Sequence, residues 1–267
     1  MAWTSRGCDS PQVHQNKRAC GGIGIRVRFR IVWSDPWRFK SSHAHKIMLF
    51  PDFKNELKYI REGCTFVVGC DEVGRGPSAG PVVAAACILN PLSVSKTRSG
   101  DKWYARVRDS KTIPEAEREI LSAKILDNSL AYGVGIVWQD EIDKLNIHNA
   151  SLKAMQMAVL NLVKKIKKVK RGSTIRVLVD GRFTIPNLKI GGIKLEQMSI
   201  VAGDSHCLSV SAASIIAKVK RDAIMRELDL KFPEYGFKRH KGYNTPEHKR
   251  AIKKFGASVV HRKSFVK

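Results

Sequence analysis

The amino-acid sequence predicts an α/β domain built on an open, partly parallel sheet. Residues 65–70 and 81–89 are apolar runs with the length of buried strands, and the second is apolar enough to be buried on both faces. A third such run, residues 175–179, follows a helix predicted at about 147–166. This β–α–β order predicts that the third strand lies parallel to an earlier one.

The remaining strands and an early helix follow from similar signals. A short helix is predicted at residues 51–63. Another helix begins at Pro114 and Glu115, a composition typical of a first turn. Apolar runs at residues 130–138 and 194–202 predict two more strands.

Two further helices are predicted, and the helix at 147–166 has an additional signal. Residues 211–219 are mostly small and apolar, which permits a close approach to a sheet or a substrate. A helix begins after Thr245, because its hydroxyl can cap the first turn and Pro246 suits the first helical position. The helix at 147–166 has one apolar face, which is formed by Leu152, Met155, Val159 and Leu162.

Residues 69–77 are the most informative part of the chain. They place Asp71 and Glu72 at the end of an apolar strand, and a glycine turn that carries Arg75 follows at once. Carboxylates are hard oxygen ligands for Mg²⁺ or Mn²⁺, and glycines beside an arginine suit a closely approaching polyanionic backbone. The motif points to metal-assisted chemistry on a phosphodiester. Taken alone, it is equally typical of a solvated strand end.

Two more aspartates repeat this arrangement. Asp180 and Asp204 each follow a predicted strand and adjoin a glycine. Parallel strands place their carboxyl ends at one edge of a sheet, so Asp180 is expected to converge with Asp71 although 109 residues separate them. An acidic cluster in a basic protein favours a bound cation. Because adjacent strand residues point to opposite faces, we expect a bend near Gly74 to bring Asp71 and Glu72 together.

A basic, aromatic loop at residues 238–245 precedes the last predicted helix. Tyr243 lies among lysine, arginine and histidine, an arrangement that suits a sugar or base stacked on the ring with phosphate nearby. For this segment alone, a core tyrosine beside a solvated charge run is the better interpretation.

The composition favours an anionic partner. The 267 residues carry a net charge of +24, and residues 48–267 keep 39 basic and 22 acidic residues. Nucleic acid is the first candidate for such a charge. The six cysteines form no Cys-x-x-Cys pair, which argues against zinc and disulfides and for a reduced, cytoplasmic protein. No apolar stretch reaches the roughly 18–20 residues needed to span a bilayer.

Residues 1–47 differ from the rest of the chain. They are irregular and arginine-rich, and they contain no apolar signal-peptide core. An organelle transit peptide would show a clearer amphipathic period. We interpret the segment as a mis-called or optional basic extension with Met48 as the true start, and residues 48–267 as the catalytic domain.

Residues 48–267 resemble ribonuclease HII, the type 2 ribonuclease H. The motifs that carry the resemblance occur in the expected order. They are the segments at residues 69–89, 109–111, 179–181, 203–205, 212–222, 240–248 and 261–265. Val73 and Ser78 depart from the family pattern, in which Ala and Leu are more usual, but neither departure removes a ligand or a donor.

The resemblance implies a ribonuclease H-like fold, a five-stranded mixed sheet flanked by helices with a C-terminal helical part that helps to hold the substrate. It implies cleavage of the RNA strand of RNA–DNA hybrids. It also implies incision on the 5′ side of single ribonucleotides in duplex DNA, which leaves 3′-hydroxyl and 5′-phosphate ends. Two Mg²⁺ or Mn²⁺ ions would act at the scissile phosphate. We expect a cytoplasmic, monomeric enzyme of DNA replication and ribonucleotide repair that does not contact membranes.

The resemblance also assigns the site residues. Three metal ligands and a fourth catalytic carboxylate are implied, and they correspond to Asp71, Glu72, Asp180 and Asp204. Five substrate-binding residues are implied as well. These are Gly74, Arg75 and Gly76 of the Gly-Arg-Gly turn, Lys111, and Tyr243, whose ring senses the RNA–DNA junction.

Two other functions stay open. Ribonuclease HIII shares the fold, but it usually has lysine in place of Arg75 and an additional N-terminal binding domain, for which residues 1–47 are too short and irregular. A non-catalytic hybrid-binding module of the same fold would not need four intact carboxylates. A nuclease assay with and without Mg²⁺ separates that module from an enzyme.

Overall fold

The computed structural model describes residues 51–95, 102–166 and 169–266, and a five-stranded sheet forms the centre of these ranges. The strands are β1 (Phe66–Val73), β2 (Val82–Leu89), β3 (Ser129–Val137), β4 (Thr174–Asp180) and β5 (Lys194–Ile200). They lie in the order β3-β2-β1-β4-β5. The pairs β1–β2 and β2–β3 are antiparallel, and β1–β4 and β4–β5 are parallel. The predicted mixed sheet, with β4 parallel to an earlier strand, is confirmed.

Helices cover both faces of this sheet. The helices of the described residues are α1 (Lys54–Arg61), α2 (Pro91–Ser95), α3 (Glu115–Asp127), α4 (Gln139–Leu145), α5 (Ile147–Val163), α6 (Gly203–His206), α7 (Leu208–Lys231), α8 (Phe237–His240) and α9 (Pro246–Phe255). Short 3₁₀ turns occur at Trp103–Arg106 and Pro233–Tyr235. The helix α9 begins where predicted, because Thr245 Oγ1 accepts a hydrogen bond from the His248 N–H at 3.3 Å. The predicted extension at residues 1–47 lies outside the described residues.

The strand β2 is buried on both faces, as its apolar sequence predicts. Val83 and Ala85 belong to the core that α7 covers, whereas Ala84 and Ala86 belong to the core that α5 covers. Because successive side chains of a strand alternate between its faces, one strand contributes to both cores. The sheet is therefore held between α5 and α7.

The small-residue helix lies directly on the central strand. The helix α7 is longer than predicted, and Ser211 to Ser214 near its start are buried. A Cβ atom at Gly69 would lie 2.1 Å from the carbonyl carbon of Ser209, so only glycine fits at this contact. The close packing fixes the end of β1 that carries Asp71.

The strand β1 extends further than predicted. The sequence pattern ends the strand at Cys70, but β1 continues to Val73 because its pairing with β2 continues to that residue. The pairing with β4 ends earlier, at Cys70 opposite Val179. Asp71 and Glu72 therefore lie inside a strand that has lost one neighbour, at the edge where the parallel strands end.

The described cysteines are buried and free. Cys70, Cys87 and Cys207 pack as small hydrophobic residues in the core. The helix α5 ends at Val163, three residues before the predicted end at Ile166. No helix in the described ranges combines the length and the apolar character needed to cross a membrane.

Candidate active site

A cavity of about 270 Å³ lies at the edge of the sheet where β1 and β4 end. It is lined by every residue that the sequence singles out as catalytic or substrate-binding, and the expected convergence of Asp71 with Asp180 is observed. The full set is Asp71, Glu72, Gly74, Arg75, Gly76, Lys111, Asp180, Asp204 and Tyr243. A wider cleft of about 600 Å³ beside Phe265 has no carboxylate among its described lining residues, so it is not a candidate for metal-assisted chemistry.

Asp71 and Glu72 reach the cavity from opposite faces of β1. Asp71 lies on the face that α7 covers, and Ser214 of that helix lines the same cavity. Glu72 lies on the α5 face, beside Ser151 and Met155. The pairing with β2 stays in register through both residues, so no bulge separates them, and the chain turns at Gly74 as expected. They share a site because β4 no longer covers this edge of β1, so side chains from both faces enter the same opening.

Burial and mutual repulsion disfavour the ionised carboxylates. Burial raises the pKa of Asp71 well above its ordinary value, and the charges of Glu72 and Asp180 raise it further. Burial also raises the pKa of Glu72. Arg75 opposes this second shift through an ion pair, with 3.1 Å between its Nη1 and Oε1 of Glu72. Protein cations compensate the negative charge of the site only in part, so the site favours an added cation.

A backbone amide orients Asp180. The N–H of Gly203 donates to Oδ1 of Asp180 at 2.7 Å. A Cβ atom at Gly203 would lie 3.3 Å from the same oxygen, so glycine leaves this approach open. Asp204 follows directly, and the turn after β5 therefore positions both acids. Burial raises the pKa of Asp204, the charge of Asp180 raises it further, and Lys111 opposes the shift.

The carboxylates fit a divalent cation. The Oε2 atom of Glu72 is buried and has no hydrogen-bond partner among the described residues. A carboxylate oxygen without a donor is what Mg²⁺ or Mn²⁺ takes as a ligand. In the described part of the chain, no three acidic, histidine or cysteine side chains already form a closed set of ligands. Asp71, Glu72 and Asp180 could hold an ion that keeps positions for water or phosphate oxygens.

The Gly-Arg-Gly turn brings the main chain next to an exposed ring. Gly74 directly follows β1 and has a φ of +94°, a conformation that favours glycine. A Cβ atom at Gly76 would lie 3.6 Å from Cε1 of Tyr243. The Tyr243 residue is 43% exposed, so the interpretation as a core tyrosine is wrong.

Ser78, one of the two departures from the family pattern, joins the turn to the loop that carries Tyr243. It is buried, and its N–H donates to the carbonyl of Gly242 at 2.9 Å. Its Oγ donates to Oδ1 of Asn244 at 2.5 Å. A leucine at this position could make only the backbone bond, so the serine adds a side-chain link between the two loops.

A chain of buried histidines supports the Tyr243 loop. Nδ1 of His248 lies 3.0 Å from the carbonyl of Tyr243, which can only accept, so this nitrogen carries the proton. Nε2 of His248 then accepts from Nε2–H of His261 at 3.0 Å. Nδ1 of His261 accepts from the N–H of Ser258 at 2.9 Å. This chain requires neutral rings, and burial lowers the pKa of His248 to about 4.

Sequence reasoning missed a second cavity of about 100 Å³ that adjoins the first. Glu72 and Asp180 line both cavities, and His148, Arg182 and Phe183 line the second. The rings of His148 and Phe183 meet edge to face with centroids 4.7 Å apart, and Phe183 is 58% exposed. The sequence signal for this cavity was Arg182 and Phe183, a cation and an aromatic residue that closely follow Asp180.

The chain is similar to known ribonucleases. A family model described as ribonuclease HII matches residues 68–267. The ribonuclease HII of Acetivibrio thermocellus is 46% identical over 212 residues, which cover 79% of this chain and 74% of that protein. The ribonuclease HII of Clostridioides difficile is 45% identical over 251 residues, which cover 94% of this chain and 86% of that protein.

Solved structures share the architecture. The crystal structure of the ribonuclease H2 from Pyrococcus horikoshii OT3 has a TM-score of 0.58 and 27% identity, over 74% of this chain and 92% of that one. Bst-RNase HIII in complex with Mn²⁺ has a TM-score of 0.55 and 17% identity, over 75% of this chain and 67% of that one, which shows a common fold alone. The ribonuclease H-like fold expected from the sequence is confirmed.

Proposed function

The chain belongs to the ribonuclease HII family and is an endoribonuclease with ribonuclease H activity; we propose that it cleaves the RNA strand of RNA–DNA hybrids and incises duplex DNA on the 5′ side of single ribonucleotides. The products would carry 3′-hydroxyl and 5′-phosphate ends. The observation that carries the proposal is the convergence of four carboxylates, a glycine turn and an exposed tyrosine ring in one cavity.

We infer that Asp71, Glu72 and Asp180 hold two Mg²⁺ or Mn²⁺ ions, with Asp204 beside them. When bound, such ions stabilise negative charge on a scissile phosphate and make water a better nucleophile at neutral pH. The buried, unpartnered oxygen of Glu72 and the raised pKa of Asp71 support this set of ligands. The chain itself supplies the fixed positions of the acids, through the end of β1 and the Gly203 amide.

The turn and the ring supply recognition. Gly76 allows a sugar–phosphate backbone to approach the main chain, because it has no side chain, and Gly74 gives the turn its positive φ. RNA differs from DNA by its 2′-hydroxyl, which main-chain groups can contact only at such short range. Tyr243 lies beside Gly76, where its ring can pack on the next sugar if that sugar is a deoxyribose. We infer that the turn recognises the ribose and that the ring recognises its junction with DNA.

Substitution of single carboxylates tests the site. Asp71→Asn and Asp180→Asn should each reduce cleavage of a hybrid and of a duplex with one ribonucleotide to background, while hybrid affinity changes little. Asp127→Asn is the matched control, because Asp127 is exposed at the end of α3 and does not line the cavity. Near-wild-type turnover by Asp180→Asn at saturating Mg²⁺ would refute the assignment.

Stability separates a catalytic defect from a folding defect. Removing one carboxylate deletes no core packing and relieves repulsion among Asp71, Glu72 and Asp180. The melting temperature of the metal-free Asp71→Asn variant should therefore equal or exceed that of the wild type. Wild-type protein that binds hybrid but cleaves nothing with Mg²⁺ or Mn²⁺ would instead identify the non-catalytic binding module.

A further inference from the structure

Two arginines that contact the Gly-Arg-Gly turn are buried, and neither forms an ion pair with an acidic side chain of the described residues. Arg221 and Arg262 have no exposed surface. Within the described ranges, every hydrogen bond that their guanidinium groups donate ends at a backbone carbonyl. Burial lowers the pKa of Arg262 to about 9 and that of Arg221 to about 10, so this environment disfavours a cation. Charges buried in this way need a structural or functional explanation.

Arg262 binds both ends of the turn between β1 and β2. Its Nη2 donates to the carbonyl of Gly74 at 2.6 Å, and its Nη1 donates to the carbonyl of Arg75 at 3.0 Å. Its Nε and Nη2 donate to the carbonyl of Gly80 at 3.0 and 2.9 Å. A planar guanidinium can reach three carbonyls at once, whereas the single ammonium of a lysine lacks this fork. Arg262 therefore holds the turn in one conformation.

Arg221 supports the same turn from α7. A Cβ atom at Gly74 would lie 2.2 Å from Nε of Arg221, so the turn rests directly on this side chain. The guanidinium also joins the turn to the Tyr243 loop. It donates to three carbonyls at 3.0 to 3.2 Å, those of Ala79, Pro81 and Lys241.

The direction of these carbonyls determines the direction of the amides that follow them. In a trans peptide, the C=O group and the next N–H group point in opposite directions. Because the carbonyls of Gly74 and Arg75 point at Arg262, the N–H groups of Arg75 and Gly76 point away from it. Both residues line the cavity, and neither N–H donates a hydrogen bond within the described part of the chain.

We propose that Arg262, assisted by Arg221, is a positioning residue that presents the adjacent amides of Arg75 and Gly76 as donors to the 2′-oxygen of a ribose and the neighbouring phosphate. The proposal rests on the proposed function, in which the main chain of the turn recognises the ribose, and it adds the role of the two buried arginines. The two buried cations also raise the positive potential next to these amides, which favours a polyanion. Arg262 contacts no reacting atom and acts only through the main chain.

Amide hydrogen exchange tests the proposal in the unaltered protein. Metal-free wild-type enzyme leaves the substrate uncut, and its Arg75 and Gly76 amides should exchange rapidly. A duplex with one ribonucleotide should protect both amides, and an all-DNA duplex of the same sequence should protect them much less. Without that extra protection the proposal is wrong, even if added Mg²⁺ then produces cleavage as the proposed function requires.

A variant tests the role of the guanidinium fork. Selectivity for ribose is measured in the Asp180→Asn background as a ratio, the Kd for the all-DNA duplex divided by the Kd for the ribonucleotide duplex. Arg262→Lys keeps the charge but should lower this ratio roughly three- to tenfold, the loss expected for one hydrogen bond. Arg176→Lys should leave the ratio unchanged, because Arg176 pairs with Glu196 away from the cavity.

The ratio separates positioning from stability. Weaker binding of both duplexes at an unchanged ratio would mean that Arg262 only stabilises the fold, and the proposal would be withdrawn. If Arg262→Lys does not fold, Arg221→Lys replaces it, with a smaller decrease of the same ratio as the expected result. The hydrogen-exchange measurement tests the amide contacts and can refute the proposal without either variant, whereas the variants test the part that the arginines play.

Discussion

The main chain of Tyr243 is held by hydrogen bonds, whereas its ring is exposed. Its N–H donates to the carbonyl of His240 at 2.9 Å, and its carbonyl accepts from His248. Because the backbone is already ordered, binding a ligand on the ring costs little further conformational entropy. This arrangement suits recognition by contact and not a structural role in the core.

Tyr243→Ala should impair incision at a single embedded ribonucleotide more than cleavage of a continuous hybrid. Ring stacking is worth about 1–3 kcal/mol per base by alanine substitution, so a comparable loss would lower kcat/KM roughly ten- to a hundredfold. Tyr243→Phe keeps the ring and should retain most of the activity. Equal losses on both substrates would show that the ring does not sense the junction.

The buried histidine chain makes folding stability sensitive to acid. The pKa of His248 is about 4 in the folded protein, below its ordinary value of 6.5, because burial disfavours the charged ring. Between these two values the unfolded chain binds more protons than the folded one. The free energy of unfolding should therefore decrease by about 1–3 kcal/mol from this residue as the pH falls through that window.

A histidine variant separates this effect from that of the acids. The raised pKa values of Asp71 and Glu72 act in the opposite direction, since these groups gain protons more readily in the folded protein. In urea unfolding of metal-free protein at about pH 7 and about pH 4.5, His248→Gln should lose less stability on acidification than the wild type. The exposed His206 provides the control, and His206→Gln should keep the full loss. The same loss in His248→Gln and wild type would contradict this explanation.

At the scale of elements, the contact between α7 and β1 determines where the acids stand. The helix begins at Leu208, and its first turn lies against Gly69, two residues before Asp71. The alternating faces of β1 then direct Asp71 toward α7 and Glu72 toward α5. The two helices that cover the sheet therefore each border one of the adjacent carboxylates.

Gly69→Ala should separate α7 from β1. The new Cβ atom would lie 2.1 Å from the Ser209 carbonyl carbon, so backbone must move, at a cost of about 1–3 kcal/mol or more in the free energy of unfolding. Gly191→Ala is the control, because a Cβ atom there meets nothing within 4 Å, and its effect should stay within about 0.5 kcal/mol. Denaturant unfolding of both variants measures the difference. Equal stability would mean that the packing at Gly69 is looser than described.

Most elements could be predicted because their signals are local. The apolar run of β2, the cap at Thr245 and the β–α–β order before β4 depend only on neighbouring residues. The predicted end of β1 at Cys70 was wrong, because composition does not reveal where a partner strand stops. The turn at Gly74 was expected, but the sequence does not reveal that β4 leaves both faces of β1 open at the acids.

The support of the site could not be predicted. Arg262 is 188 residues away from the Gly74 carbonyl that it binds, and no local pattern distinguishes a buried arginine from a solvated one. The histidine chain could not be predicted either, because it depends on rings that only folding brings together. Sequence motifs and the family resemblance therefore located the acids, the turn and the ring, but not the groups that hold them.

At the scale of the whole molecule, the protein is strongly basic overall, whereas its cavity is lined by acidic residues. Residues 48–267 have a net charge of +17, counted from 39 basic and 22 acidic residues, while four carboxylates line one cavity. The basic excess attracts the phosphates of any duplex, and such attraction weakens as salt rises. The protein should therefore have affinity for any duplex, whereas the residues of the cavity select ribose.

A protein that begins at Met48 should fold and cleave like the full chain, because residues 1–47 offer no patterned core. The removed segment has nine basic and two acidic residues, so duplex binding should weaken and depend less steeply on salt. Thermal melting, kcat/KM on hybrid and Kd across a KCl series compare the two lengths. An unfolded or inactive truncated protein would show that the segment belongs to the catalytic domain.

The pairing of β1 with β4 also has a consequence for how activity appears during folding. It joins Cys70 to Val179, so a long loop must close before the contact forms, and such closures are slow. The hairpin of β1 and β2 needs only a short connection. A refolding chain should therefore regain its helical and hairpin signals before it regains cleavage. The delay between the return of these structural signals and the return of cleavage would measure how long Asp71 and Asp180 take to come together.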